Sequence, residues 1–279
     1  MNRSGGTAWL ASYPKSGNTW FRAVVAAWRR GDPFDLEATD TIPAFRTRFD
    51  ESLGVRSTDL TDTEAAALRP AADDVHDSVR PELHLHKIHD GLFTGPDGAC
   101  ILSTAATHRA IYVVRDPRDV AVSFAHHNGQ STAWATERLC TPSAEISAPV
   151  DDVAVQLVQR LGTWSEHVAG WVEHAPFPTI GVRYEDCLTD PVRTFGEAFA
   201  FVGFEIPPDE LRAAIDAAAF ARLQARERQV GFGERFSRSA PFFRKGKAGG
   251  WRDELEPALA ERISSEHAEQ LRRFGYSLR

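Results

Sequence analysis

The chain has 279 residues, 42% of them apolar and 25% charged, a balance that fits one soluble globular α/β domain with a substantial core and excludes a largely disordered chain. A formal charge of −7 argues against a general binder of nucleic acid or of an anionic membrane, so any anion site must be a local basic pocket. No apolar run approaches the roughly 20 residues that span a bilayer. The opening MNRSGGTAWLASYPK lacks a signal peptide's long apolar region, and Cys100, Cys140 and Cys187 are odd in number and without metal spacing, which points to free thiols and a cytoplasmic location.

In chain order, strand-like runs are expected at Trp9–Tyr13, Leu83–Ile88, Ala110–Val114 and Thr179–Tyr184. Helical spacing is expected over Thr19–Arg30, Thr63–Ala71, Arg118–His127, Val153–Glu173, Val192–Val202, Asp209–Arg226 and Glu256–Phe274. This alternation implies an α/β fold with a central, mainly parallel sheet flanked by helices, in a single domain over residues 1–279. Thr39–Leu60 and Gly129–Val150 read as surface loops near a cleft, and Gln229–Gly250, with glycines in GFGERF and KAGG, reads as a lid.

Three stretches carry the chemistry. In SYPKSGNTW (Ser12 to Trp20) a strand enters a tight loop and then a helix, so backbone N–H groups and a positive dipole end face one spot beside Lys15. Ser16, Gly17, Asn18 and Thr19 can present consecutive N–H groups to a phosphate or sulfate. The loop is P-loop-like without being a Walker loop, because Lys15 precedes the single Gly17, and this disfavours a standard NTPase. AIYVVRDPRDVAVSF (Ala110 to Phe124) repeats the strand–turn–helix plan with Arg115 at the strand exit and Ser123 two turns into the helix. Arg115 and Lys15 therefore stand at strand carboxyl ends, where open parallel sheets bind ligands. FFRKGKAGGW (Phe242 to Trp251) places Arg244, Lys245 and Lys247 among glycines that let the backbone wrap an anion.

Together these stretches resemble the cytosolic-type sulfotransferases, which use 3′-phosphoadenosine 5′-phosphosulfate (PAPS) and leave adenosine 3′,5′-bisphosphate (PAP). SYPKSGNTW resembles the family's 5′-phosphosulfate loop, with Asn18 where threonine is usual; YVVRDPRDVAVSF resembles its 3′-phosphate strand and helix; FFRKGKAGGW resembles its RKGxxGDW segment, with Gly250 in place of aspartate. The resemblance implies that Lys15, Ser16, Gly17, Asn18 and Thr19 hold the 5′ end of the donor and that Arg115, Ser123, Arg244, Lys245 and Gly246 hold the 3′-phosphate. Trp20, Tyr184 of VRYEDCL and Phe220 of AAAF are implied to form the adenine site.

In LHLHKIHDG (Leu83 to Gly91) strand alternation sets Lys87 and His89 on one face and His84 and His86 on the other, so the three histidines do not converge as metal ligands and no metal is expected. Lys87, Ile88 and His89 resemble the family's KTH stretch, which implies His89 as general base and Lys15 and Lys87 as charges on the transferring group. The implied reaction is in-line transfer of a sulfuryl group to a small-molecule hydroxyl, a phenol or natural-product alcohol. Phe45, Phe49, His126, His127, Trp134 and the Phe232–Phe243 region are candidates for an aromatic acceptor wall. The alternatives are a nucleotide or small-molecule kinase, a glycan or lipid sulfotransferase, and a non-catalytic anion binder; oligomeric state is not legible.

Overall fold

The computed structural model describes residues 6–35, 44–79, 82–93, 100–146, 155–235 and 241–279. Chain order runs β1 (Gly6–Ser12), α1 (Asn18–Arg30), α2 (Arg46–Leu53), α3 (Asp62–Ser78), β2 (Leu83–Ile88), β3 (Thr107–Val114), α4 (Pro117–Asn128) and α5 (Thr132–Leu139). It continues with the short β4 (Glu145–Ile146) and β5 (Gln159–Arg160), α6 (Trp164–Val172), β6 (Thr179–Arg183), α7 (Tyr184–Thr189), α8 (Pro191–Phe201), α9 (Pro208–Ala217), α10 (Phe220–Val230), α11 (Pro257–Glu266) and α12 (Ala268–Arg273). The central sheet has the order β2-β1-β3-β6, and β1 and β2 pair in parallel from Gly6↔Leu83 to Ala11↔Ile88. The architecture is the expected α/β sheet flanked by helices. Ala8, Trp9, Leu10 and Ala11 are all fully buried, as an inner parallel strand covered on both faces requires.

The chain divides into two compact units. One comprises Met1–Tyr13, Asp40–Tyr112 and Pro142–Gly181; the other comprises Pro14–Thr39, Val113–Thr141 and Val182–Arg279.

Several expected boundaries move. Residues 39–60, read as loop, contain α2, whose Phe49 is buried against Ala65, Ala72 and Leu157. Residues 129–150 contain α5, capped by Ser131, whose side chain accepts from the Trp134 N–H. Of the helix expected over Val153–Glu173, residues 153 and 154 lie outside the described residues; from 155 to 173 the only helix is α6, since Leu157, Gln159 and Leu161 are buried at a period of two and the helix begins where Thr163 and Glu166 form a capping box. Asp209–Arg226 is two helices, since Ala219 takes an extended conformation (φ −60°, ψ 142°) before Phe220. Glu256–Phe274 likewise breaks at the buried His267. Helix α3 runs on beyond Ala71 to Ser78 with Pro70 inside it. Part of Gln229–Gly250 lies outside the described residues; within the rest, residues 242 and 243 are fixed by α10, Glu227 accepting their N–H groups at 2.5 and 2.9 Å.

Candidate active site

The loop between β1 and α1 is built from backbone conformation. Lys15 sits at φ 69° and Gly17 at φ 107°, a left-handed bend that turns successive N–H groups inward and sets them at the start of α1. Gly17 is required twice over: its φ is costly for other residues, and a Cβ there would lie 2.5 Å from Cδ2 of Tyr184. Ser16 is fully buried, and its Oγ has no hydrogen-bond partner among the described residues; the same holds for Trp20 Nε1 and Arg115 Nε. A buried donor without a partner is costly, so these three atoms are candidates to meet a polar ligand.

Arg115 closes the loop from β3. Its NH1 donates to the Lys15 carbonyl at 3.1 Å, its NH2 donates to the Lys247 carbonyl at 3.0 Å, and its guanidinium lies 4.6 Å from the centre of the Tyr184 ring. One arginine thus ties three sequence motifs together in the second unit. Tyr184 and Trp20 meet edge to face at 6.1 Å, and burial raises the Tyr184 hydroxyl above its ordinary pKa. Lys15 Nζ stands 3.7 Å from the centre of the Phe242 ring. Phe242 in turn contacts His127 (5.7 Å) and Phe232 (4.8 Å).

The carboxy-terminal basic stretch is fastened to α4 by Asp119, whose carboxylate accepts from Gly249 N at 2.6 Å and Trp251 N at 2.9 Å. Gly246, at φ 60°, has no room for a side chain because a Cβ would lie 2.3 Å from Cδ2 of Phe220. That contact joins the AAAF phenylalanine to the RKG segment. Arg244 and Lys245 both reach Glu254. Ser123 is half-buried on α4. Lys15, Ser16, Gly17, Asn18, Thr19, Trp20, Arg115, Ser123, Tyr184, Phe220, Arg244, Lys245 and Gly246 all belong to the second unit.

Lys87 and His89 belong to the first. Lys87 is buried on β2, paired in register with Leu10. His89 follows β2, and its Nδ1 lies 2.8 Å from the Ser12 carbonyl oxygen and 3.3 Å from Ser12 Oγ. A carbonyl only accepts, so Nδ1 carries a proton; in the neutral ring Nε2 is then the nitrogen with the lone pair, the tautomer a general base needs.

The sequence reading missed what holds His89 in place. Trp171 Nε1 donates to the Asp90 carbonyl at 2.9 Å, and Arg69 donates through both NH1 and NH2 to the Asp90 carboxylate at 2.7 and 2.8 Å. His167 Nε2 donates to the His89 carbonyl at 3.0 Å, while its Nδ1 lies 2.9 Å from the Tyr112 hydroxyl. Burial pushes His167 down to about 4, so it bridges as a neutral ring. No local pattern announces this network, because Arg69 and Trp171 lie far from Asp90 in sequence.

His84 and His86 stack at 6.0 Å and His76 meets His86 at 5.4 Å, but among the described residues no group of three or more His, Cys, Asp or Glu is placed to hold a metal ion. Of the acceptor-wall candidates, Phe49 is core packing, and Trp134 packs on Phe124 at 5.4 Å.

A family model described as the sulfotransferase domain matches residues 6–275. The chain belongs to the sulfotransferase family. It is 26% identical to a flavonol 3-sulfotransferase of Flaveria bidentis over 97% of this chain and 83% of that protein. It is 24% identical to cytosolic sulfotransferase 17 of Arabidopsis thaliana over 96% of this chain and 75% of that one. A mouse sulfotransferase crystallised with PAP has the same fold, with a TM-score of 0.61 and 21% identity over 96% of this chain and 85% of the other. In this sulfotransferase Arg115 donates to the carbonyls of Lys15 and Lys247, so the β1–α1 loop and the RKG stretch meet at one side chain.

Proposed function

We propose that this sulfotransferase takes PAPS as donor and transfers its sulfuryl group to the hydroxyl of a small molecule, a phenol or natural-product alcohol, in the cytoplasm. The observation that carries the donor assignment is the set of buried, unpartnered polar atoms at the loop, Ser16 Oγ, Trp20 Nε1 and Arg115 Nε, beside the left-handed Lys15–Gly17 bend. Residues 15–19 suit the 5′ end; Arg115, Ser123, Arg244, Lys245 and Gly246 suit the 3′-phosphate; Trp20, Tyr184 and Phe220 suit adenine.

His89 takes the acceptor's hydroxyl proton on Nε2, which its hydrogen bond to Ser12 leaves as the basic nitrogen. The bound donor supplies a sulfur that the acceptor oxygen bonds as the S–O bond to the 5′-phosphate breaks, its electron pair staying on the phosphate oxygen. Lys15 and the loop N–H groups meet the charge that grows on that oxygen, and Lys87 adds a second positive charge. The flavonol acceptor named for the Flaveria bidentis relative favours testing phenols first.

The test is incubation with sulfur-labelled PAPS and a panel of phenols and alcohols, read by mass spectrometry for the gain of one SO₃. On an acceptor so found, His89→Asn is expected to lower kcat by about 10²- to 10⁴-fold while PAP affinity by calorimetry stays unchanged. Wild-type turnover in His89→Asn would remove the base assignment. Absence of PAP binding by the wild-type protein would remove the donor assignment.

A further inference from the structure

Arg244 and Lys245 aim their charges at one carboxylate. Arg244 NH1 donates to Oε1 and Oε2 of Glu254 at 2.9 and 3.0 Å, and Lys245 Nζ donates to Oε1 at 2.5 Å. From α4, His126 Nε2 lies 2.7 Å from Oε2. Glu254 caps the short 3₁₀ turn Gly250–Asp253, its N–H donating to the Trp251 carbonyl at 3.2 Å. That turn is the one Asp119 fastens to α4, so the carboxylate is delivered to the cations by a fixed piece of backbone.

An arginine and an ammonium converging on a small anion are also what a phosphate monoester needs. The carboxylate and a 3′-phosphate would compete for the same donors, and two anions at one donor set repel. We propose that Glu254 is a resident counter-ion that occupies the 3′-phosphate's donor set and must be displaced when nucleotide binds, so that it weakens the grip on donor and product alike. The inference rests on the reading that Arg244 and Lys245 serve the 3′-phosphate.

Two further observations agree. Burial works against the charged carboxylate, yet hydrogen bonds from Lys245, His126 and Arg244 hold its carboxyl down at about 2, so these partners favour Glu254 as an anion. Its side chain is 22% exposed and that of Lys245 is 44% exposed, which gives the displaced carboxylate a path into water. A tight yet solvent-facing pair can be exchanged for another anion; a sealed one is far costlier to open.

The experiment is calorimetry of PAP and of adenosine 5′-monophosphate, which lacks the 3′-phosphate, against wild type and Glu254→Gln. Glu254→Gln is expected to bind PAP about tenfold more tightly, the scale of one charge-assisted contact at a partly exposed site, and to leave adenosine 5′-monophosphate affinity unchanged. PAP release, followed by stopped flow, should slow by a similar factor. Glu254→Ala, which removes the carboxylate without adding an amide, should tighten PAP in the same direction. PAP affinity unchanged or weakened in both variants would overturn the proposal and make Glu254 an organiser of the two cations. Equal tightening of both nucleotides would also overturn it, by moving the effect away from the 3′ end. Wild type binding PAP no better than adenosine 5′-monophosphate would instead refute the underlying assignment of Arg244 and Lys245, and the proposal with it.

Discussion

Replacing Gly17 by alanine tests the phosphate loop with a single methyl group. At φ 107° an L-residue carries a conformational cost of about 1–2 kcal/mol. The added Cβ would stand 2.5 Å from Cδ2 and 3.1 Å from Cε2 of Tyr184, well inside carbon–carbon contact distance. Tyr184 is only 7% exposed and is backed by Arg115, so either the ring or the loop has to move; such overpacking typically costs about 1–3 kcal/mol. The two effects together amount to roughly 2–5 kcal/mol. In thermal denaturation that corresponds to a fall in Tm on the order of 10 °C. The displaced ring also loosens Arg115, so calorimetry should show PAP affinity reduced at least about tenfold, one contact's worth. Gly54→Ala is the control: Gly54 has φ 65° but nothing within 4 Å of its Cβ position, so it pays only the conformational cost. The reasoning fails if Gly17→Ala is no less stable than Gly54→Ala and binds PAP like wild type.

Arg69→Met should lower stability by about 3–5 kcal/mol, because it leaves the buried Asp90 carboxylate without both of its fork donors; a urea-denaturation loss below about 1 kcal/mol would contradict the pair's role. Asp73 supplies a pH test. Burial, opposed by Arg48 and Arg69, pushes its carboxyl up to about 6 from the ordinary 3.8. Between those values the folded chain binds the extra proton, so Asp73 favours folding most below about pH 4, and that contribution is lost as pH rises through about 6. Denaturation of wild type and Asp73→Asn from pH 4 to 7 should show the variant gaining on wild type with rising pH, by at most about 3 kcal/mol. A difference independent of pH would refute the assignment.

Local patterns carried much of the fold. The apolar run of β1 and the Gly17 loop, the strand exit at Arg115 and the alternation in LHLHKI are written in adjacent residues, and each lies where it was expected. The helix expected over Val153–Glu173 shows the limit: Leu157, Gln159 and Leu161 alternate as in a strand, and the Thr163–Glu166 box is the local signal that marks the true helix start. The helix break at Ala219 has no local mark, because three successive alanines favour helix and helices lie on both sides of it. At the candidate site, the residues proposed to bind the donor's anions share short motifs, which is why the sequence could nominate them. Asp119 as anchor of the RKG stretch, Glu254 as its counter-ion and Arg69 as the partner of Asp90 were not legible, since each pairing joins groups whose meeting is decided by the tertiary path.

The hydrogen bond from His89 to the Ser12 carbonyl has a genetic corollary. Its acceptor is a peptide oxygen, present whatever amino acid is encoded at position 12, so no codon change there can delete it. That part of the imidazole's hydrogen bonding is thereby inherited with the course of the main chain, whereas the 3.3 Å contact from Ser12 Oγ to the same nitrogen depends on the residue encoded.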